Sequence, residues 1–302
     1  MTAGEYISEF FQYLINGLAQ GSIYALIALG YTMVYGILKL INFAHGEFYM
    51  VGGFLGMALM SLLPQYIPIP PVILLPLVLL LTGLLAVFVE YLAYRPLRNS
   101  KRLAPLITAV GVSIVLLELI RVIAGGKPQP FPQLFENRVF EVAGLFLQRS
   151  HLVIFIVMIT LMLLLRWIVM KTPIGRAMRA ASQDFDAAKL MGVPLNRVIS
   201  FTFFLGAVLA AVAGILVGMH FNNVEPYMGQ LAGLKAFTAA VLGGIGSVPG
   251  AVLGAITLGV CEAFVVGYGE SSYRDAIAFG VLILVLMFRP WGILGKPERV
   301  KV

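Results

Sequence analysis

A chain of 302 residues that is 60% hydrophobic and 12% charged has too few charges to coat a water-facing surface, since soluble domains carry about 25% charged residues. That excludes an ordinary soluble enzyme. The net charge of +7 is the surplus of Lys and Arg that cytoplasmic loops present to anionic lipid, so membrane lipid is the expected partner and nucleic acid is not.

The N-terminal stretch MTAGEYISEFF holds Glu5 and Glu9, with no basic residue before Lys39. It lacks the positive region of a cleaved signal peptide, so the first hydrophobic segment is expected to stay in the mature protein. A crossing helix needs about 20 mostly apolar residues. Nine candidates follow, near 10–38, 41–63, 71–94, 103–123, 151–170, 198–219, 231–246, 250–268 and 273–289. Runs such as Val72 to Leu85 do not alternate, which excludes a membrane β-barrel. The predicted fold class is all-α: a polytopic transmembrane helix bundle forming one domain over 1–302. The candidates 41–63 and 231–246 are rich in glycine and polar residues. Each fits either a full span or a broken, re-entrant element lining a protein-enclosed cavity, which gives eight or nine spans. The single cysteine, Cys261, has no partner for a disulfide and reads as a packing residue.

Basic residues fix the orientation. Arg95, Arg98, Lys101 and Arg102 share one loop; Arg166, Lys171, Arg176, Arg179, Lys189 and Arg197 lie in or beside another. Placing both in the cytoplasm, with Lys39, Arg289, Lys296, Arg299 and Lys301, puts fifteen of 21 basic residues inside, as membrane insertion favours. The N-terminus is then outside and the C-terminus inside.

Laying LINFAHGEFYMVGGFLG (40–56) over LAGLKAFTAAVLGGIGS (231–247) matches Leu40 with Leu231, Gly52 with Gly243 and Gly53 with Gly244. The two segments are expected to run in opposite directions, as in inverted repeats, where paired glycine-interrupted segments point to the substrate path. Close helix packing is the competing reading of these glycines. Charged residues inside a membrane are costly and need a reason. Asn42, His45 and Glu47 fit either the cytoplasmic interface or the path itself. Glu118 and Arg121 have the spacing of a local ion pair. Glu262 lies a turn or two inside the outer boundary, and Lys235 is long enough to snorkel outward.

No cluster of acid, base or metal-binding residues supports catalysis, and the histidines at 45, 151 and 220 are far apart. GGIGSVPG (243–250) has the glycines of a phosphate loop but not its lysine, so ATP, if it drives the protein, is bound by another chain. No cofactor is expected. The longest cytoplasmic connection, 171–197, is bounded by Pro173 and Pro194 and reads as a short helix carrying Asp186-Ala187-Ala188, with Gly192 following.

That loop resembles the Glu-Ala-Ala segment with which ABC importer permeases dock onto their ATPases, aspartate replacing glutamate. LINFAHGEFYMVGGFLG, GLKAFTAAVLGGIGSVPGAVLGA and Arg289-Pro290-Trp291-Gly292 before a basic tail resemble the LivH-type permeases of branched-chain amino acid ABC transporters over nearly the whole chain. The resemblance implies import of leucine, isoleucine and valine across a bacterial inner membrane. It further implies two ATP-binding subunits, a second related permease and a periplasmic binding protein. Related permeases carry urea, short amides or simple sugars. An ion-coupled secondary transporter would also have an inverted repeat, but would leave the Asp186–Gly192 loop without a purpose.

Overall fold

The computed structural model describes residues 3–66, 70–98, 100–101, 103–142, 144–289 and 291–295. Arg102, Lys296, Arg299 and Lys301 of the orientation argument, and Pro290 of the Arg289–Gly292 segment, lie outside the described residues. The helices are α1 (Ala3–Leu38), α2 (His45–Tyr66), α3 (Leu75–Val89), α4 (Leu103–Ala124), α5 (Arg149–Lys171), α6 (Pro173–Gln183), α7 (Phe185–Leu190), α8 (Leu195–Phe221), α9 (Met228–Gly243), α10 (Val248–Tyr268) and α11 (Arg274–Phe288). Short strands β1 (Gln129–Pro130), β2 (Val139–Val142), β3 (Leu145–Gln148) and β4 (Asn223–Val224) pair antiparallel as β1 with β4 and β2 with β3.

Eight helical spans among the described residues are long and apolar enough to cross a membrane. The segment predicted near 231–246 is shorter: α9 has 16 residues, about 24 Å at about 1.5 Å per residue against a hydrocarbon core of about 30 Å. Residues 222–227 precede α9, which starts with Gly229 against Gly46 at the start of α2. Arg95, Arg98, Lys189 and Arg197 all border one cavity at the end of the bundle where α1 finishes, and this is the cytoplasmic face.

Protein surrounds α1 most completely, whereas α4, α5 and α11 turn most of their surface outward, away from the rest of the chain. Small residues allow the inner helices to approach. Gly17 and Gly21 of α1 lie against Val260 and Ile256 of α10, and α8 offers Gly206, Ala207, Ala210, Ala211, Ala213 and Gly214, all buried. α3 departs from regular geometry at its inner end, where a π-helical turn over Glu90–Tyr94 turns both Glu90 and Tyr94 inward.

The inverted repeat pairs α1 and α2 with α8 and α9. Lys39 (φ 53°) and Asn222 (φ 56°) are the only non-glycine residues with positive φ among the described residues. Each follows the last residue of its helix and opens a six-residue turn leading into the next one. One turn enters from the cytoplasmic end and the other from the outer end. The structural register therefore matches Lys39 with Asn222 and Gly46 with Gly229, and corrects the alignment of 40–56 with 231–247. Gly52 and Gly53 lie mid-helix in α2, whereas Gly243 and Gly244 end α9, so they are not equivalent positions. Gly46 and Gly229 face one another where the halves meet, and a methyl group on either would overlap the other's carbonyl oxygen.

Candidate functional site

The turn over 39–44 explains where the polar residues of the first repeat lie. The His45 ring packs on Gly30 of α1 and Gly206 of α8. Those glycines sit eight residues before the end of α1 and eleven after the start of α8, about 12 and 16 Å from the cytoplasmic helix ends at about 1.5 Å per residue. Asn42, His45 and Glu47 are thus buried inside the bundle, away from the interface. The Asn42 Oδ1 accepts from the Tyr94 hydroxyl (2.5 Å) and from the Ala44 amide (3.1 Å). The His45 ring meets the Tyr31 ring edge-on, with centroids 4.6 Å apart. Glu47 accepts at Oε1 from the Ser113 hydroxyl of α4 (2.8 Å), while Oε2 faces Gly229 with no hydrogen-bond partner among the described residues. No ion pair to Glu47 is present among them either. Isolated carboxylates are expensive to bury, so this position is not explained by stability.

The predicted glycine pairs are not brought together. Gly52 packs on Ala211 of α8, and Gly53 on the Met228 methyl. Gly243 touches Gly250 across the α9–α10 turn, and Gly244 (φ 104°) lies against Gly295.

At the outer end, a cavity of about 480 Å³ opens between α1, α8, α9 and α11, within the range of small-molecule sites, about 300–1,000 Å³. Lys235 of α9 reaches outward to its edge. Its Nζ lies 3.0 Å from Glu262 Oε1 of α10 and 2.6 Å from Asp275 Oδ1 of α11. Glu262 is 1% exposed and is held further by the Tyr24 hydroxyl (2.9 Å) and Arg274 Nε (2.8 Å) on Oε2. Two cations and two carboxylates thus neutralise one another here.

At the cytoplasmic end, 171–197 forms two helices instead of the single one expected, because the Asp184 carboxylate accepts from the Ala187 amide (2.9 Å) and starts α7 afresh. Serine, threonine, asparagine and aspartate side chains commonly cap helices in this way. Asp186 and Ala187 are exposed, and Ala188 is buried against the body. Gly192 (φ 79°) ends the helix, the Val193 amide donating back to the Ala188 carbonyl (3.0 Å), in the left-handed exit that glycine adopts without penalty. Beyond α7, Leu190 and Met191 are 88% and 84% exposed.

The family model for the permease component of the branched-chain amino acid transport system matches residues 13–286. The chain belongs to this family. It is 45% identical over 98% of its length to the high-affinity branched-chain amino acid transport permease BraD of Pseudomonas aeruginosa, covering 99% of that protein. It is 43% identical over 97% of its length to the corresponding LivH of Escherichia coli, covering 98% of it. Among solved structures, a chain of PsaBC from Streptococcus pneumoniae, in complex with Fab, shares the fold with a TM-score of 0.50 at 18% identity, covering 97% of this chain and 98% of that one. The protein is therefore a permease component of a branched-chain amino acid transport system and a multi-pass protein of the bacterial inner membrane.

Sequence reasoning missed several residues of the permease. It read Lys235 and Glu262 separately; nothing in hydropathy signals that they pair. Glu90, fully buried, was passed over as part of an apolar run. Its carboxylate binds Arg95 Nη2 (3.2 Å), Arg98 Nη2 and the Ser200 hydroxyl (2.6 Å), fastening the cytoplasmic end of α3 to α8. The i+5 and i+8 spacings to those arginines follow the π-helical turn, which no helical template anticipates. Leu190 and Met191 could have been found as an apolar pair beside the Asp186-Ala187-Ala188 segment.

Proposed function

We propose that this permease carries leucine, isoleucine and valine into the cell as one of two related membrane subunits. In this reading two separate ATP-binding subunits supply the energy and a periplasmic binding protein delivers the substrate. All of 1–302 forms one permease domain, and 171–197 is the element that receives the ATPase stroke. The observation that carries the mechanical part is α7: a short, separately capped helix ending in a glycine turn, presenting Asp186 and Ala187 beside the exposed Leu190 and Met191. Such a projection offers an apolar tip to a groove on a partner, while Ala188 anchors it to the membrane domain. The names of the most similar curated relatives support the substrate class.

Along the path, Asn42, His45 and Glu47 supply polar groups at the seam between the repeats, and rocking of the halves about Gly46 and Gly229 exposes them to alternate sides. Gly52, Gly53, Gly243 and Gly244 permit the close helix contacts across which that motion occurs. The test is mild-detergent affinity purification of the chain from its native membrane, followed by uptake of labelled leucine in proteoliposomes. Two ATPases and a second permease should copurify, and uptake should require ATP. Recovery of the chain alone, with uptake abolished by a protonophore while ATP is present, would replace this reading with an ion-coupled transporter.

A further inference from the structure

We infer that the outer cavity is a binding subsite for the substrate's zwitterionic head group, and that the Lys235–Asp275 ion pair occupies the position the substrate carboxylate takes. This rests on the branched-chain amino acid reading and deepens it by naming the residues that recognise the amino acid.

The two carboxylates on Lys235 play unequal roles. Glu262 is buried and keeps Arg274 and the Tyr24 hydroxyl whether or not Lys235 stays with it. Asp275 is different: its side chain is 51% exposed, it opens α11 at the cavity rim, and Lys235 is its one ion-pair partner among the described residues. Exchanging Asp275 for an incoming carboxylate preserves one ammonium against two carboxylates. No buried charge is stranded, and stranding one is the costly alternative. Asp275 then becomes free to accept a hydrogen bond from the substrate's ammonium. Glu225, also on the cavity wall and without an ion-pair partner among the described residues, supplies a second acceptor. Ile23, Val217 and Leu231 line the same cavity beside the polar Gln20, Asn223 and Ser271, and give an aliphatic side chain apolar surface to rest on. An uncharged sugar or amide would have to leave the Lys235–Asp275 pair in place or break it without replacement. The chemistry therefore favours a small amino acid with a free ammonium, a free carboxylate and an apolar tail.

The experiment uses the complete transporter in lipid nanodiscs without binding protein. Binding of labelled L-leucine is measured against two competitors: leucinamide, which lacks the carboxylate, and 4-methylpentanoate, which lacks the ammonium. Each should compete at least about tenfold less well than leucine in the wild type, the effect of one charge-assisted hydrogen bond. Lys235→Met should weaken leucine binding about tenfold and erase discrimination against leucinamide, and Lys235→Arg should restore it. Glu225→Gln, at the rim and outside the buried network, should reduce discrimination against 4-methylpentanoate alone, which keeps the test decisive should Lys235→Met fail to assemble. Unchanged affinity and discrimination in Lys235→Met, or unchanged discrimination in Glu225→Gln should Lys235→Met fail to assemble, overturns the subsite while leaving the functional reading intact. A wild-type transporter that takes up no branched-chain amino acid overturns both.

Discussion

Glu90→Gln isolates the fastening of α3 to α8. The carboxylate is fully buried, and its partners are Arg95, Arg98 and Ser200. Glutamine keeps the shape but turns an amide donor toward the guanidiniums and removes the charge they face. Each charge-assisted hydrogen bond lost is worth about 1.5–3 kcal/mol, and breaking a buried pair from one side costs about 3–5 kcal/mol. The arginine side chains remain 31% and 19% exposed, so water recovers part of this, leaving about 2–3 kcal/mol. At about 2 °C per kcal/mol for a chain of this size, the Tm falls by about 5 °C. The assay is thermal unfolding of the purified permease in detergent, followed by tryptophan fluorescence. Glu118→Gln is the control: its pair with Arg121 (2.6 Å) has side chains 49% and 39% exposed, and exposed pairs contribute about 0.2–1 kcal/mol. Adding Arg98→Gln to Glu90→Gln should cost much less than the sum of the single changes. Equal Tm shifts for Glu90→Gln and Glu118→Gln, or full additivity with Arg98→Gln, would refute the view that burial gives this cluster its strength.

Gly192→Arg forces a side chain into the left-handed region at a cost of about 1–2 kcal/mol and should sharply reduce leucine-stimulated ATP hydrolysis with normal membrane insertion; uptake at the wild-type rate would count against α7 as the coupling element. Leu190→Ser with Met191→Ser should leave the Tm within the equivalent of about 0.5 kcal/mol, as exposed substitutions do, yet lower the amount of ATPase retained on affinity purification. Glu47→Gln preserves an acceptor for Ser113 and removes an unpaired buried charge, so the Tm should hold or rise while the transport rate falls at least about tenfold, the loss expected of one charged hydrogen bond. A fall in both together would mean that Glu47 is structural.

Hydropathy showed the long spans directly, because runs such as Val72 to Leu85 have no soluble alternative, and the clustered arginines oriented them. The repeat was legible as an idea but not in register. Its defining feature is a left-handed residue followed by a short turn, and Lys39 does not advertise that backbone as Asn222 does. The depth of Asn42, His45 and Glu47 was hidden for the same reason: Lys39 close by in sequence suggested an interface, while the turn returns the chain to the interior. Ala188 and Gly192 were visible as a pattern. The division into α6 and α7 was readable in principle from Asp184 three residues before Ala187, an N-cap spacing. Contacts between distant helices, such as Lys235 with Glu262, leave no trace in one sequence.

The β1–β4 pairing has a consequence for how the chain can vary in length. Gln129 aligns with Val224 and Pro130 with Asn223, and the Phe131 amide donates to the Asn222 carbonyl (3.0 Å). This two-rung ladder measures the distance from α4 to the outer turn of the second repeat. A single residue inserted between Ala124 and Gln129 can bulge outward with the ladder intact, whereas one inserted between Gln129 and Phe131 reverses which side chains face inward and pulls the Phe131 ring from its place beside Gly56 and Gly218. Loop-length changes among permeases of this architecture therefore belong before Gln129 or after Phe131, and an affinity tag or crystallisation partner should be grafted there, not at the ladder.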